Sequence, residues 1–164
     1  MHQYPHKYKQ QYNLIQSNMN FSDKFGDKLL TKSGEKSAAE VLSSKKFIGI
    51  YFSAHWCPPC RGFTPVLAEF YEAAKEHGVE IEIVFVSSDP DPGSFNEYYA
   101  TMPWTAQLFE ERDKKGALAN EFGVSGIPML VILNSEGTVL DVDGRATVAA
   151  CKGDVNKAIA TWTR

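Results

Sequence analysis

Phe47-Ile48-Gly49-Ile50-Tyr51-Phe52-Ser53-Ala54-His55-Trp56-Cys57-Pro58-Pro59-Cys60 is the stretch from which the rest of the chain can be read. Its opening run is β-branched and aromatic around one glycine, the composition of a buried strand. Pro58 and Pro59 then suit a helix start, because proline in the first turn lacks only an amide hydrogen that would be unpaired there anyway. Downstream, Phe63, Val66, Leu67, Phe70, Tyr71 and Ala74 recur at helical spacing, Glu69, Glu72, Lys75 and Glu76 fill the opposite face, and Gly78 supplies the stop. Pro65 is expected to remove one ladder bond and kink this helix just after its first turn. Cys57 and Cys60 are thereby placed at a helix N-terminus, where amide donors and the positive dipole end stabilise a sulfur anion. The thiolate is the attacking species in disulfide exchange, so the reading is a dithiol that closes and reopens as a Cys57–Cys60 disulfide.

Working outward, Lys28 to Lys36 reads as a short strand with a turn at Ser33-Gly34, and Ala38 to Leu42 as a helical turn. Ile81 to Val86 reads as a buried strand closed by the polar turn Ser87 to Gly93, followed by a short helix over Ser94 to Tyr99. Lys114 to Phe122 fits a helix with Gly123 beyond its end. Met129 to Leu133 and Thr138 to Val142 flank the turn Asn134-Ser135-Glu136-Gly137, and Val155 to Trp162 fits a terminal helix covering the sheet. The order strand, helix, strand, helix, helix, hairpin, helix predicts an α/β fold with a central mixed sheet flanked by helices on both faces.

A chain of 164 residues with 43% apolar residues supports one well-buried core rather than two. Residues 1–22 are polar and aperiodic and are expected to form a flexible extension, leaving 23–164 as the domain. His2 and His6 in that extension are read as solvated rather than as metal ligands. A formal net charge of -3 without a dense Lys/Arg block gives no footprint for nucleic acid or an anionic membrane. The first 26 residues lack the apolar run of a signal peptide or membrane span. Three cysteines, two of them in a CxxC, suit a cycling pair in a reducing compartment better than an extracellular framework. The expected location is cytoplasmic, with the nucleus open, and the expected state is a monomer. A zinc module is disfavoured, since only Cys151 and scattered histidines accompany the CxxC and four ligands are needed. No metal is expected at the site. Cys151, with no partner at motif spacing, is read as a structural or incidental thiol.

Several motifs carry a resemblance over roughly Leu29 to Arg145: Tyr51-Phe52-Ser53-Ala54-His55-Trp56-Cys57-Pro58-Pro59-Cys60-Arg61, Phe85-Val86-Ser87-Ser88-Asp89, Met102-Pro103-Trp104, Gly126-Ile127-Pro128 and Gly144-Arg145. With these the chain resembles the thioredoxin superfamily, and within it the tryparedoxin and nucleoredoxin branch. Ordinary thioredoxins have Gly-Pro between the cysteines and no MPW segment. The resemblance implies a thioredoxin-like fold, Cys57 as attacking and Cys60 as resolving cysteine, and no cofactor beyond their disulfide. It implies a cis Ile127–Pro128 bond in a loop against the sulfurs. Trp56, Pro58, Pro59, Ile127, Pro128 and Arg145 are the implied substrate-binding residues, the arginine suiting a carboxylate on a glutathione-type or peptide substrate. The implied partners are protein disulfides such as those of peroxidases, with a small dithiol, a glutathione-type thiol or a reductase as the electron source. An acidic residue in the loop after Val86 also belongs to the branch, but Pro90, Asp91 and Pro92 leave its position unassigned.

Ordinary thioredoxins place an aspartate six residues before the first cysteine, where this chain has Tyr51. Tyr51 is expected to pack in the core with its hydroxyl bonded, and the base for Cys60 stays unassigned. Trp104 is expected to anchor the loop beneath the site, and His55 to be solvated. A redox-regulated protein-binding module of nucleoredoxin type, with little turnover, uses the same cysteines and is the alternative to a disulfide reductase.

Overall fold

A computed structural model describes residues 20–164. The elements, in chain order, are α1 (Phe21–Phe25), β1 (Lys28–Thr31), β2 (Gly34–Ser37), α2 (Ala38–Leu42), β3 (Phe47–Ser53), α3 (Pro58–Glu76) and β4 (Ile81–Ser87). There follow α4 (Pro92–Tyr99), β5 (Thr105–Gln107), α5 (Arg112–Glu121), β6 (Met129–Asn134), β7 (Val139–Asp141), α6 (Gly144–Cys151) and α7 (Val155–Trp162).

The strands form one seven-stranded mixed sheet in the order β2-β1-β5-β4-β3-β6-β7. β3 lies between β4, parallel to it from Phe47 opposite Ile81 to Ser53 opposite Ser87, and β6, antiparallel from Phe47 opposite Asn134 to Phe52 opposite Met129. Every β3 residue is buried, as a central strand with both faces covered requires. Its side chains alternate: Phe47 and Tyr51 face one layer, Ile48, Ile50 and Phe52 the other. On the first face Phe63, Leu67 and Phe70 of α3 pack with Phe95 and Tyr98 of α4, Val148 of α6 and Trp162 of α7. On the second, Phe21 and Phe25 of α1, Leu42 of α2 and Leu118 of α5 close the sheet. Gly49 is fixed by this packing, because a Cβ there would lie 3.2 Å from Leu130 Cδ1 and 3.3 Å from Ile83 Cγ1.

The expected α/β architecture is present, with helices on both faces of a mixed sheet. Four elements were absent from the sequence reading. β2, four residues paired antiparallel with β1, falls within what reads as one short strand and its turn. β5 spans only three residues, too few to show alternation. α6, Gly-Arg-Ala-Thr-Val-Ala-Ala-Cys, contains good helix formers in its alanines but too few large apolar residues to show a helical stripe. α1 begins at Phe21, itself in the core, so the expected boundary between residues 22 and 23 falls inside a helix. The extension and its histidines, up to residue 19, lie outside the described residues. Helix α3 runs from Pro58 to Glu76 with Pro65 inside it, at the place where a kink was expected. No described helix is long and apolar enough to cross a membrane.

Candidate active site

β3 and α3 meet in the turn Ala54-His55-Trp56, and the turn puts Cys57 at the N-cap of α3. Because Pro58 and Pro59 carry no amide hydrogen, the first donor the helix offers is Cys60 N–H. It points at Cys57 Sγ at 3.3 Å. The Cys57 thiol in turn lies 3.8 Å from the Ile127 carbonyl oxygen, to which it donates. Ile127 packs against Ala54, Cys57 and Cys60, and its bond to the buried Pro128 is cis. The structure thus brings together Cys57, Cys60, Ile127 and Pro128 from two sequence regions.

The cysteines are reduced and differ in access. Cys57 keeps 5% of its surface and Cys60 none. Burial, followed by the hydrogen bond with Cys57, pushes the Cys60 thiol up to about 11, because removing water penalises the anion. Unequal burial fits the order of events in exchange: the reachable sulfur meets a substrate and the enclosed one responds afterwards.

Trp56 is 60% exposed beside the pair, its indole N–H donating to the Ser88 carbonyl at 3.0 Å. Pro58 and Pro59 are exposed on the first turn of α3. Asp89 is buried behind the turn: Oδ1 accepts from His55 N at 2.7 Å, and Oδ2 accepts from the Ser87 hydroxyl at 2.7 Å. This carboxylate therefore braces the turn from inside. His55 is not simply solvated, since its ring stacks on Tyr98 at 5.3 Å. Arg145 stands in the first turn of α6 with its guanidinium 6.0 Å from the Phe63 ring centre. Trp104 is buried edge-on to Tyr51 and Tyr71, under the site as expected.

Sequence reasoning missed a polar cluster beneath Cys60. Tyr51 OH lies 2.7 Å from Thr64 Oγ1, Thr64 Oγ1 lies 2.6 Å from Tyr98 OH, and Tyr98 OH lies 2.7 Å from Ser53 Oγ. All of these side chains are buried. The one available signal was Phe95, Tyr98 and Tyr99 at i, i+3 and i+4, which marks a core-facing helix stripe without naming its partners. Among the described residues no group of three or more His, Cys, Asp or Glu side chains is placed to hold a metal ion.

Comparison with known proteins gives concordant matches. A family model described as Thioredoxin-like matches residues 45–139. The tryparedoxin of Trypanosoma brucei brucei is 45% identical over 122 residues, covering 73% of this chain and 82% of that protein. The nucleoredoxin of Mus musculus is 40% identical over 128 residues, 78% of this chain, but the match spans only 29% of that protein's length. A solved structure titled tryparedoxin II complexed with glutathionylspermidine superposes with a TM-score of 0.73 at 34% identity, covering 82% of this chain and 92% of that one.

Proposed function

This chain belongs to the thioredoxin-like family, among relatives named tryparedoxin and nucleoredoxin, and on that premise we propose that it is a dithiol-disulfide oxidoreductase. The observation that carries the reading is Cys57 Sγ at the N-cap of α3, facing Cys60 N–H and the Ile127 carbonyl. Cys57 thiolate attacks a substrate disulfide; the substrate S–S bond breaks, one half leaves as thiolate, and a mixed disulfide forms on Cys57. Cys60 then attacks Cys57 Sγ, the second half leaves, and the Cys57–Cys60 disulfide remains. An external thiol reverses the sequence and restores both thiols.

Trp56, Pro58, Pro59, Ile127 and Pro128 form the surface against which a substrate lies in this reading. An extended substrate strand pairs with the backbone of Ile127, and Arg145 meets a carboxylate at the rim. The substrates are protein disulfides such as those of peroxidases. A small dithiol or glutathione-type thiol, or a reductase, supplies the electrons, a choice supported by the glutathionylspermidine in the related tryparedoxin structure. A cytoplasmic monomer is part of the proposal. A redox-regulated binding module is the second reading, supported by the 40% identity to the nucleoredoxin of Mus musculus.

Turnover of a protein disulfide and of bis-glutathionyl disulfide, with a dithiol regenerating the reduced chain, tests the proposal. Wild type reduces both over many cycles and Cys57→Ser reduces neither. Equal turnover by Cys57→Ser removes the proposal, and stoichiometric reduction without cycling favours the binding module.

A further inference from the structure

The outward face of α3 changes character along its length. Beyond Val66 it is charged, with Glu69, Glu72, Lys75 and Glu76 exposed. Between Pro58 and Val66 the exposed residues are Pro58, Pro59, Arg61, Gly62, Pro65 and Val66, and Arg61 carries the one polar side chain among them. The helix therefore presents an apolar face about two turns long, and that face starts at the dithiol.

Packing within the protein does not account for these residues. Gly62 lies inside the helix, where glycine costs stability relative to alanine, yet a Cβ there would meet nothing within 4 Å and its φ is not positive. Pro65 supplies no amide hydrogen for the Arg61 carbonyl one turn back. Val66 is β-branched and leaves 42% of its surface in water, at a position where a straight polar side chain suits a helix better. An open glycine alone decides little, since Gly116 in α5 is equally free of neighbours. The setting separates the two: Gly116 follows Asp113, Lys114 and Lys115, whereas Gly62 shares a face with Pro59 and Val66, at i−3 and i+4, beside the reactive cysteines.

Resting on the exchange reaction proposed above, we infer that this face of α3 is a docking surface for the main chain of a protein substrate. Its position selects the occupant, because the face is continuous with the sulfur that receives the substrate. A small disulfide has no chain to carry onto α3, and a protein disulfide does. The missing side chain at Gly62 admits close backbone approach, while covering Pro59 and Val66 removes apolar surface from water. From Cys57 to Val66 the helix rises about 13 Å, the reach of about four extended residues. The partner is thus a disulfide in an accessible, extended segment of a protein.

Initial rates with insulin as the protein disulfide and with bis-glutathionyl disulfide, dithiothreitol regenerating the full chain and its direct reaction subtracted, test the inference. Gly62→Gln, a better helix former that fills the gap, should raise KM for insulin about tenfold with kcat unchanged, the pattern of lost binding common to ground and transition states. Its melting temperature should equal or exceed that of wild type, and its turnover of bis-glutathionyl disulfide should stay at the wild-type rate. Val66→Gln should raise the insulin KM in the same way, and Gly116→Gln should leave both substrates unaffected. A wild-type insulin KM in both α3 variants overturns the inference, as does equal loss on the two substrates or the same rise in Gly116→Gln. Turnover of either disulfide at the wild-type rate by Cys57→Ser would instead sink the exchange reaction itself.

Discussion

Replacing Cys60 with alanine should change the pH dependence of folding in a direction fixed by where that thiol sits. Folding raises the thiol from its ordinary 9.0 to about 11, so the native state holds the proton more tightly than the unfolded chain. A group raised in this way contributes its full stability below the unfolded pKa and loses it as pH climbs through the folded one. The window is therefore about 9 to 11, and the difference amounts to about 3 kcal/mol at most. Urea unfolding of the reduced wild type and of reduced Cys60→Ala, at several pH values across that window, measures it. The stability advantage of wild type over the variant should shrink steadily from the neutral to the alkaline end, while titrations common to both chains cancel. A constant difference would refute the claim that Cys60 is enclosed as a neutral thiol.

Other consequences can be measured separately. Glu82, buried and raised by desolvation with Tyr71 OH and Ile83 N donating to it, costs stability as it ionises. The stability of Glu82→Gln relative to wild type should therefore rise as pH increases from below the carboxylate range to neutrality; a flat difference by urea unfolding would contradict this. At Gly144 a Cβ would come within 2.9 Å of the Leu130 carbonyl oxygen and 3.0 Å of Leu130 Cγ. Gly144→Ala should cost about 1–3 kcal/mol, and an unchanged melting temperature by circular dichroism would show that α6 can shift freely. Trp56→Ala removes an exposed ring, so stability should stay within about 0.5 kcal/mol while turnover of a protein disulfide falls; unchanged turnover would remove Trp56 from the substrate surface.

What the sequence could show followed from local periodicity. The β3 run, the apolar stripe of α3 and the turn signals around Asn134 each involve neighbours in the chain, so the layered mixed sheet was legible. The dithiol was legible for the same reason, because a strand, two prolines and a helix stripe place it without tertiary information. The hydroxyl cluster beneath Cys60 was not, since Ser53, Thr64 and Tyr98 come from β3, α3 and α4 and meet only when those elements pack. Asp89 was likewise unreadable: only the folded turn puts His55 N–H against it. The helix that carries Arg145 was not readable either, because the Asp143 cap, accepting from Ala146 N at 3.4 Å, starts a helix that side-chain pattern alone does not announce.

The central claim is that the sulfurs at the start of α3 form one reversible couple. Equilibrating the full chain in glutathione buffers of graded redox ratio, trapping free thiols with an alkylating reagent and mapping the products by mass spectrometry tests it directly. The account predicts that Cys57 and Cys60 become protected together, joined to each other, over one two-electron transition, with Cys151 still alkylated after unfolding. Pairing of Cys57 with Cys151, or independent titration of the two motif cysteines, would contradict it.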